Sequence, residues 1–330
     1  MSKIGVLGAG TWGTALAIML AQNAHSVTLW SALDNELNTL KATHTHPNLK
    51  GSVIPESMAF TNDIAEVCSD KDVLLFAVAS PYVRETAKKS APFIKEGQII
   101  VDAAKGLEED TLFTMSQVIK DGVGKEVTVV ALSGPTHAEE VALGLPTTVV
   151  AACRNLKAAE LVQNIFMNTC MRVYTNEDIL GVELCGALKN IIALACGIST
   201  GLGFGDNAKA AIITRGIAEM SRLGMAMECD KMTFAGLAGL GDLIVTATSR
   251  HSRNNRAGFL IGSGDSADDA IKKVGMVVEG IHAIPPALKL AEKYKVDMPI
   301  ITAVHKTISG ELTPDEAVSL LMNREKKSEK

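Results

Sequence analysis

No CxxC pair occurs among the six cysteines, Cys68, Cys153, Cys170, Cys185, Cys196 and Cys229. They sit mostly in apolar contexts, which argues against a structural zinc site or any other metal site and for reduced thiols in a cytoplasmic protein. Positive charge is not in excess either: the net charge is −5 and the basic residues are dispersed, so nucleic acid is not the main partner. The start, MSKIGVLGAG, carries one early lysine and no signal segment of about 15–30 residues, and glycines break the apolar run that follows. Repeats and low-complexity tracts are absent, and only the tail NREKKSEK reads as solvated. The run from Leu180 to Ile198 reaches the length of a membrane span, about 20 residues. It nevertheless holds Glu183, Lys189, Asn190 and three glycines, which reads as protein interior rather than a span.

What is present is enough apolar residue, 47% of 330, to build two cores and therefore a cleft. The first half reads as a nucleotide-binding sheet. Ile4 to Leu7 is a short buried strand that runs into Gly8-Ala9-Gly10-Thr11-Trp12-Gly13 and then the helical TALAIMLAQNA. Between strand and helix this is a GxGxxG in its required context: Gly8 for the tight turn, Gly10 for close approach of a pyrophosphate, Gly13 for helix-to-strand packing. A second strand, Ser26 to Trp30, ends in Ser31-Ala32-Leu33-Asp34. No acid stands directly on that end to hold a ribose 2′-hydroxyl and no arginine to neutralise a 2′-phosphate, so the choice between NAD and NADP is open. Further strands are expected over Asp72–Ala79, Gln98–Asp102, Val127–Leu132 and Leu145–Ala152, with a helix over Tyr82–Phe93 and one more helix and strand before Asp178.

Lys105 follows a strand end, where ligands bind in open α/β sheets; a solvated loop lysine is the plainer alternative. Ser133-Gly134-Pro135-Thr136-His137 is a rigid strand-end turn able to offer backbone N–H groups, with His137 more in keeping with a capping or surface residue than a catalytic one.

The strand pattern stops at Asp178, and the rest reads as helices. The expected architecture is α/β, a Rossmann-type, mostly parallel sheet domain over 1–180 followed by an all-helical domain over 181–330. The buried run from Leu180 places the ammonium of Lys189 in an apolar helix. Either it serves as a general acid or base, or it snorkels to solvent or pairs with Glu183. Asp206-Asn207 are candidate caps of a helix over Ala208–Leu223, in which Asn207, Arg215 and Glu219 are polar; an Arg215–Glu219 pair is the plain reading. Asp242 closes a glycine-dense segment from Phe234 and reads as a cap or a site carboxylate. Ser249-Arg250-His251-Ser252-Arg253-Asn254-Asn255-Arg256 has the composition of a phosphate site or of a solvated basic loop. Val277-Val278-Glu279-Gly280 places an acid by a glycine, and Thr313-Pro314 opens a last helix, to about Met322.

These motifs together resemble the NAD(P)-dependent glycerol-3-phosphate dehydrogenase family of the bacterial soluble type, over nearly the whole length. The resemblance rests on GAGTWGTALA at Gly8, AKGLE at Ala104, LSGPTHAEEVALGLPT at Leu132, VELCGALKNIIALACGISTGLGFGDNAKAAIITRG at Val182, GLGDLIVTATSRHSRN at Gly239 and VVEGI at Val277. It implies a second domain like the C-terminal domain of 6-phosphogluconate dehydrogenase. It also implies reversible reduction of dihydroxyacetone phosphate to sn-glycerol 3-phosphate with NAD or NADP, for phospholipid synthesis, with a homodimer left open.

By the same resemblance Lys189 is the general acid and base, held by Asp242, with Lys105 near substrate and cofactor. Gly134, Thr136, Asp242, Ser252, Arg253 and Asn254 contact substrate. Thr11, Trp12, Ser31, Ala138, Arg253, Val277 and Glu279 join Gly8, Gly10 and Gly13 around the dinucleotide. The chain departs from the family where an arginine is common at Ser31-Ala32, where serine and phenylalanine are usual at Thr136 and His137, and where Asn255 replaces a frequent arginine. Two alternatives remain: a dehydrogenase of another hydroxy acid or sugar acid, and a dinucleotide sensor without turnover.

Overall fold

The computed structural model of the chain describes every residue except Thr169, Arg250, Lys327 and Lys330. The chain divides into two compact units, Met1–Glu183 and Leu184–Lys330.

The first unit is built on eight strands: β1 (Lys3–Leu7), β2 (Ser26–Trp30), β3 (Ala59–Thr61), β4 (Val73–Phe76), β5 (Ile99–Asp102), β6 (Thr128–Ser133), β7 (Thr147–Ala152) and β8 (Met171–Asn176). Its helices are α1 (Thr11–Gln22), α2 (Asp34–Thr43), α3 (Ile64–Cys68), α4 (Val83–Ser90), α5 (Met115–Val123), α6 (Ala138–Ala142) and α7 (Leu156–Phe166). The sheet order is β3-β2-β1-β4-β5-β6-β7-β8. All neighbours run parallel except β6 and β7.

Helices cover both faces, which is why the central strands are continuous apolar runs such as the fully buried VLLF of β4. Two core clusters result, one with Ile4, Val6 and Leu16, the other with Leu7, Phe76 and Val118. The order changes direction beside β1, which lies between β2 and β4. The pairing there is in one row, Trp30–Leu7–Phe76–Asp102–Ala131. Gly8, Ser31, Ala77 and Ala103 therefore leave the sheet side by side at its carboxyl edge, the place where such folds bind ligands.

Three local readings change. The strand expected over Asp72–Ala79 is only Val73–Phe76. The helix expected over Tyr82–Phe93 is a 3₁₀ turn (Ser80–Tyr82), α4 and a second 3₁₀ turn (Ala91–Phe93), each 3₁₀ turn holding a proline. The short β3 carried no strand signal, being three residues with one fully buried.

The second unit is helical: α8 (Ile179–Gly201, which starts in the first unit), α9 (Asp206–Ala226), α10 (Lys231–Ala235), α11 (Asp242–Thr248), α12 (Arg253–Gly262), α13 (Ala267–Val274), α14 (Glu279–Tyr294), α15 (Pro299–Ile308) and α16 (Pro314–Met322). Among the described residues, α8 is the single helix long and apolar enough to cross a membrane, and its most apolar stretch is 89% buried inside the protein. Gly205, rather than Asp206 or Asn207, occupies the N-cap of α9. The expected Arg215–Glu219 pair does not form. Arg215 is exposed, while Glu219 is buried and accepts hydrogen bonds from the N–H groups of Ile300 (2.7 Å) and Ile301 (3.4 Å) at the start of α15. Those two donors have no partner within their own helix, so the carboxylate satisfies them.

Candidate active site

At the carboxyl edge of the first unit, Gly8 turns with φ +121°, and its N–H donates to the Trp30 carbonyl at 3.0 Å. A Cβ on Gly8 would lie 2.8 Å from the Ala77 backbone, and one on Gly13 would lie 2.0 Å from the Gly8 carbonyl. Gly10 is different. A Cβ there would meet nothing within 4 Å, so the peptide at the head of α1 faces open space. Gly10 is the N-cap of α1 and no side chain caps its first N–H groups. An open cradle ringed by N–H donors at a positive helix end fits a pyrophosphate.

Thr11 accepts a hydrogen bond from Asn48 at 3.0 Å. Trp12 and Ala138 are half-buried against the same apolar cluster, and α1 packs on α6. His137 occupies the N-cap position of α6.

At the end of β2, Ser31 is buried and its hydroxyl donates to Glu36 Oε2 at 2.5 Å while accepting the Leu33 N–H at 3.1 Å. An acid therefore does stand at this strand end; it comes from the first turn of α2, five residues on.

Beyond β5 the half-buried Lys105 donates to the Gly134 carbonyl at 3.4 Å, and the Thr136 hydroxyl donates to the same oxygen at 3.1 Å. Sequence-distant site residues thus meet around one carbonyl. The loop is anchored three residues past Lys105, where Arg84 grips Glu108 with both forks (2.5 and 2.6 Å) and also pairs with Asp121. That guanidinium holds the Glu108 carboxyl below the usual range. Asp102, the last residue of β5, accepts the Ala104 N–H at 3.0 Å and leaves Oδ2 without a partner. Burial, and then the charge of Glu183, push Asp102 well above the ordinary carboxylate range. Glu183 itself is bound by the Thr114 hydroxyl (2.8 Å) and by the N–H and hydroxyl of Ser116 (both 2.7 Å). It is therefore not the partner of Lys189.

In the second unit, Lys189 on α8 is 5% exposed, and its ammonium pairs with Asp242 Oδ1 and donates to Thr246 Oγ1 at 2.8 Å. Asp242, 1% exposed, is the first residue of α11, directly after a single π turn (Leu237–Gly241), and Thr246 lies one turn further along the same helix. An irregular turn of this kind re-aims the side chain that follows it. One residue along α8, Asn190 accepts from Asn254 Nδ2 at 2.9 Å and donates to Glu279 Oε2 at 3.4 Å, and Asn254 Oδ1 accepts the Gly280 N–H at 2.8 Å. Both ends of Asn254 are therefore bound by protein.

Ser252 is the N-cap of α12, accepting the Asn255 N–H at 3.2 Å. Arg253, the first residue of α12, is half-buried and makes no ion pair among the described residues. Arg256 is exposed, and Arg250 lies outside the described residues. Val277 is half-buried just before the Val278 cap of α14. The second-unit candidates thus fall into two groups joined through adjacent positions of α8.

The model for the N-terminus of NAD-dependent glycerol-3-phosphate dehydrogenase matches residues 3–159, and the model for its C-terminus matches residues 178–319. The chain belongs to this family. It is 60% identical to glycerol-3-phosphate dehydrogenase [NAD(P)+] 2 of Lactobacillus delbrueckii subsp. bulgaricus, over 100% of this chain and 99% of that one. It is 54% identical to the glycerol-3-phosphate dehydrogenase [NAD(P)+] of Agathobacter rectalis, over 100% and 98%. The crystal structure of the Coxiella burnetii glycerol-3-phosphate dehydrogenase superposes with a TM-score of 0.93 at 36% identity, covering 98% of this chain and 99% of that one.

The two family regions divide the candidates as the structure does, with Gly8 to Gly13, Lys105, Gly134 and Thr136 in the first and Lys189, Asp242, Ser252, Arg253, Asn254 and Glu279 in the second. Glu36, Asn190 and Thr246, which hold Ser31, Asn254 and Lys189, carried no such role in the sequence. Only Thr246 had a usable signal, since it stands one helical turn from Asp242.

Proposed function

We propose that Lys189 is the general acid and base of an NAD(P)-dependent glycerol-3-phosphate dehydrogenase, with Asp242 and Thr246 as the groups that hold its ammonium. The chain is an oxidoreductase acting on a CH–OH group, interconverting dihydroxyacetone phosphate and sn-glycerol 3-phosphate and supplying the latter for phospholipid synthesis. A bound nicotinamide supplies or accepts the hydride. The developing alkoxide needs a proton, and a buried ammonium is well suited to stabilise it and then give that proton up. The observation that carries this reading is the buried group Lys189–Asp242–Thr246, in which two acceptors fix the direction of one amine.

The open cradle at Gly10 and the head of α1 take the pyrophosphate, with Thr11, Trp12 and Ala138 beside it, and Val277 and Glu279 are the second unit's candidates for contact with the dinucleotide. Lys105, Gly134 and Thr136 face the substrate. Arg253, free of any ion pair among the described residues, anchors the phosphate with Ser252, whose cap bond leaves its own proton for donation. Asn254 shapes that end of α12 through Asn190 and Gly280. The protein works in the cytoplasm, does not span a membrane, and assembles as a homodimer.

The decisive experiment follows dihydroxyacetone phosphate reduction in Lys189→Ala. The expected result is a kcat lower by roughly 10²- to 10⁴-fold, the usual worth of an acid–base group, with NADH affinity close to that of the parent. Undiminished turnover, or a parent enzyme that prefers an unphosphorylated ketone, would defeat the assignment.

A further inference from the structure

We propose that Glu36 makes this enzyme select NAD over NADP, by offering its carboxylate where the adenosine 2′ position lies. The inference rests on the reading of the Gly8–Gly13 turn as the dinucleotide site. In strand–glycine–helix units the ribose is read at the end of the second strand, by an acid that accepts from the 2′-hydroxyl or by a cation that neutralises a 2′-phosphate. Here the glycine turn and that strand end are tied together by the 3.0 Å bond from the Gly8 N–H to the Trp30 carbonyl. The residues directly on the end, Ser31, Ala32 and Leu33, carry no charge.

The fold brings one in. Because α2 starts at once, at Asp34, its first turn carries Glu36 back onto the strand end, where the buried Ser31 hydroxyl fixes Oε2 at 2.5 Å. Oε1 has no partner among the described residues, and no lysine or arginine among them pairs with Glu36. One carboxylate oxygen is thus held by the protein and the other is left as an acceptor.

The surroundings do not offset the charge. His46 is buried, accepts the Asn48 N–H at 3.1 Å and lies within the field of Glu36; burial lowers its pKa, so it adds no cation at neutral pH. Asp34, the other acid in the first turn of α2, accepts from Asn62 at 2.8 Å. A 2′-phosphate would bring negative charge to an edge already negative, whereas a 2′-hydroxyl would find an acceptor.

The test is calorimetric titration of the purified protein with NADH and with NADPH, at low and at moderate salt. No substrate is present, so an error in the substrate assignment cannot alter the ratio. The parent protein is expected to bind NADH at least about tenfold more tightly, as like charges meeting at a partly buried site require. That gap should narrow as sodium chloride screens the repulsion. Glu36→Gln, which keeps an acceptor for Ser31, is expected to weaken NADH a few fold and to strengthen NADPH roughly tenfold, and Glu36→Ala should move the ratio the same way. Melting curves check that both variants are folded. A parent that binds NADPH as tightly as NADH, or folded variants with the parental ratio, would overturn the proposal. Binding of neither nucleotide would overturn the dinucleotide reading and this inference with it.

Discussion

A lysine surrounded by aliphatic side chains keeps its charge only if acceptors replace the water it has lost, and among the described residues Asp242 and Thr246 do so for Lys189. Asp242 supplies the opposite charge. Thr246 supplies direction, since its hydroxyl receives the ammonium proton while donating to the Asp242 carbonyl at 2.7 Å. Thr246→Val keeps the shape and removes one acceptor. The expected result is a kcat lower by roughly tenfold, the worth of one hydrogen bond to a charged group, with unaltered NADH binding in a titration. A parental kcat would mean that Asp242 alone positions the amine. Lys189 was legible in the sequence because an ammonium in an apolar run is an anomaly that demands a partner. Thr246 offered only its place one helical turn from Asp242, since a helical threonine ordinarily bonds to its own backbone. Glu36 was hidden for a similar reason: an acid in a helix's first turn already has an explanation in the helix dipole.

At the scale of elements, the turn from β1 into α1 makes two glycines do opposite jobs. Gly13→Ala would drive a methyl into the Gly8 carbonyl, so it is expected to cost about 2–4 kcal/mol of stability, in the range of overpacking and backbone strain. Gly10→Ala meets no protein atom, so its melting temperature should stay near parental while NADH affinity collapses, because the methyl occupies the anion's place. Thermal melts and NADH titrations of the two proteins separate these outcomes; a Gly10→Ala protein that binds normally would move the pyrophosphate elsewhere.

Strand, glycine turn and helix were readable here because each local preference agrees with the next. The reversal of β7 was not. Its cause is the connection from β6, whose only helix is the five-residue α6, too short for the crossover a parallel return needs.

For the protein as a whole, acidity is written into the second unit through Glu219. Burial pushes its carboxyl up to about 7, against an ordinary 4.5, and the Ile300 and Ile301 N–H bonds only partly oppose this. The folded state therefore holds this proton more tightly than the unfolded chain does. Its stabilising contribution is complete below pH 4.5, declines as pH rises toward 7, and is gone above. Glu219→Gln retains an acceptor for the α15 donors without the ionisation. Urea unfolding at pH 5 and pH 8 is expected to show a smaller pH dependence in the variant and a gain at pH 8 on the order of 2–3 kcal/mol. Equal pH dependence in both proteins would contradict the buried-acid account. In the sequence this residue looked like half of an intrahelical pair with Arg215, because spacing alone cannot say which side of a helix is covered.

The interior course of α8 also limits how the chain can vary in length. A helix advances by about 100° per residue. One codon inserted between Ile179 and Lys189 would swing the amine off Asp242 and point a neighbouring aliphatic residue at that carboxylate instead. A one-residue deletion would swing it the opposite way and bring Asn190 to that place. Tolerance for such changes has to be sought in the exposed connection at Gly203–Gly205, downstream of the reactive amine, where the chain can absorb an extra residue without rotating anything that matters to chemistry.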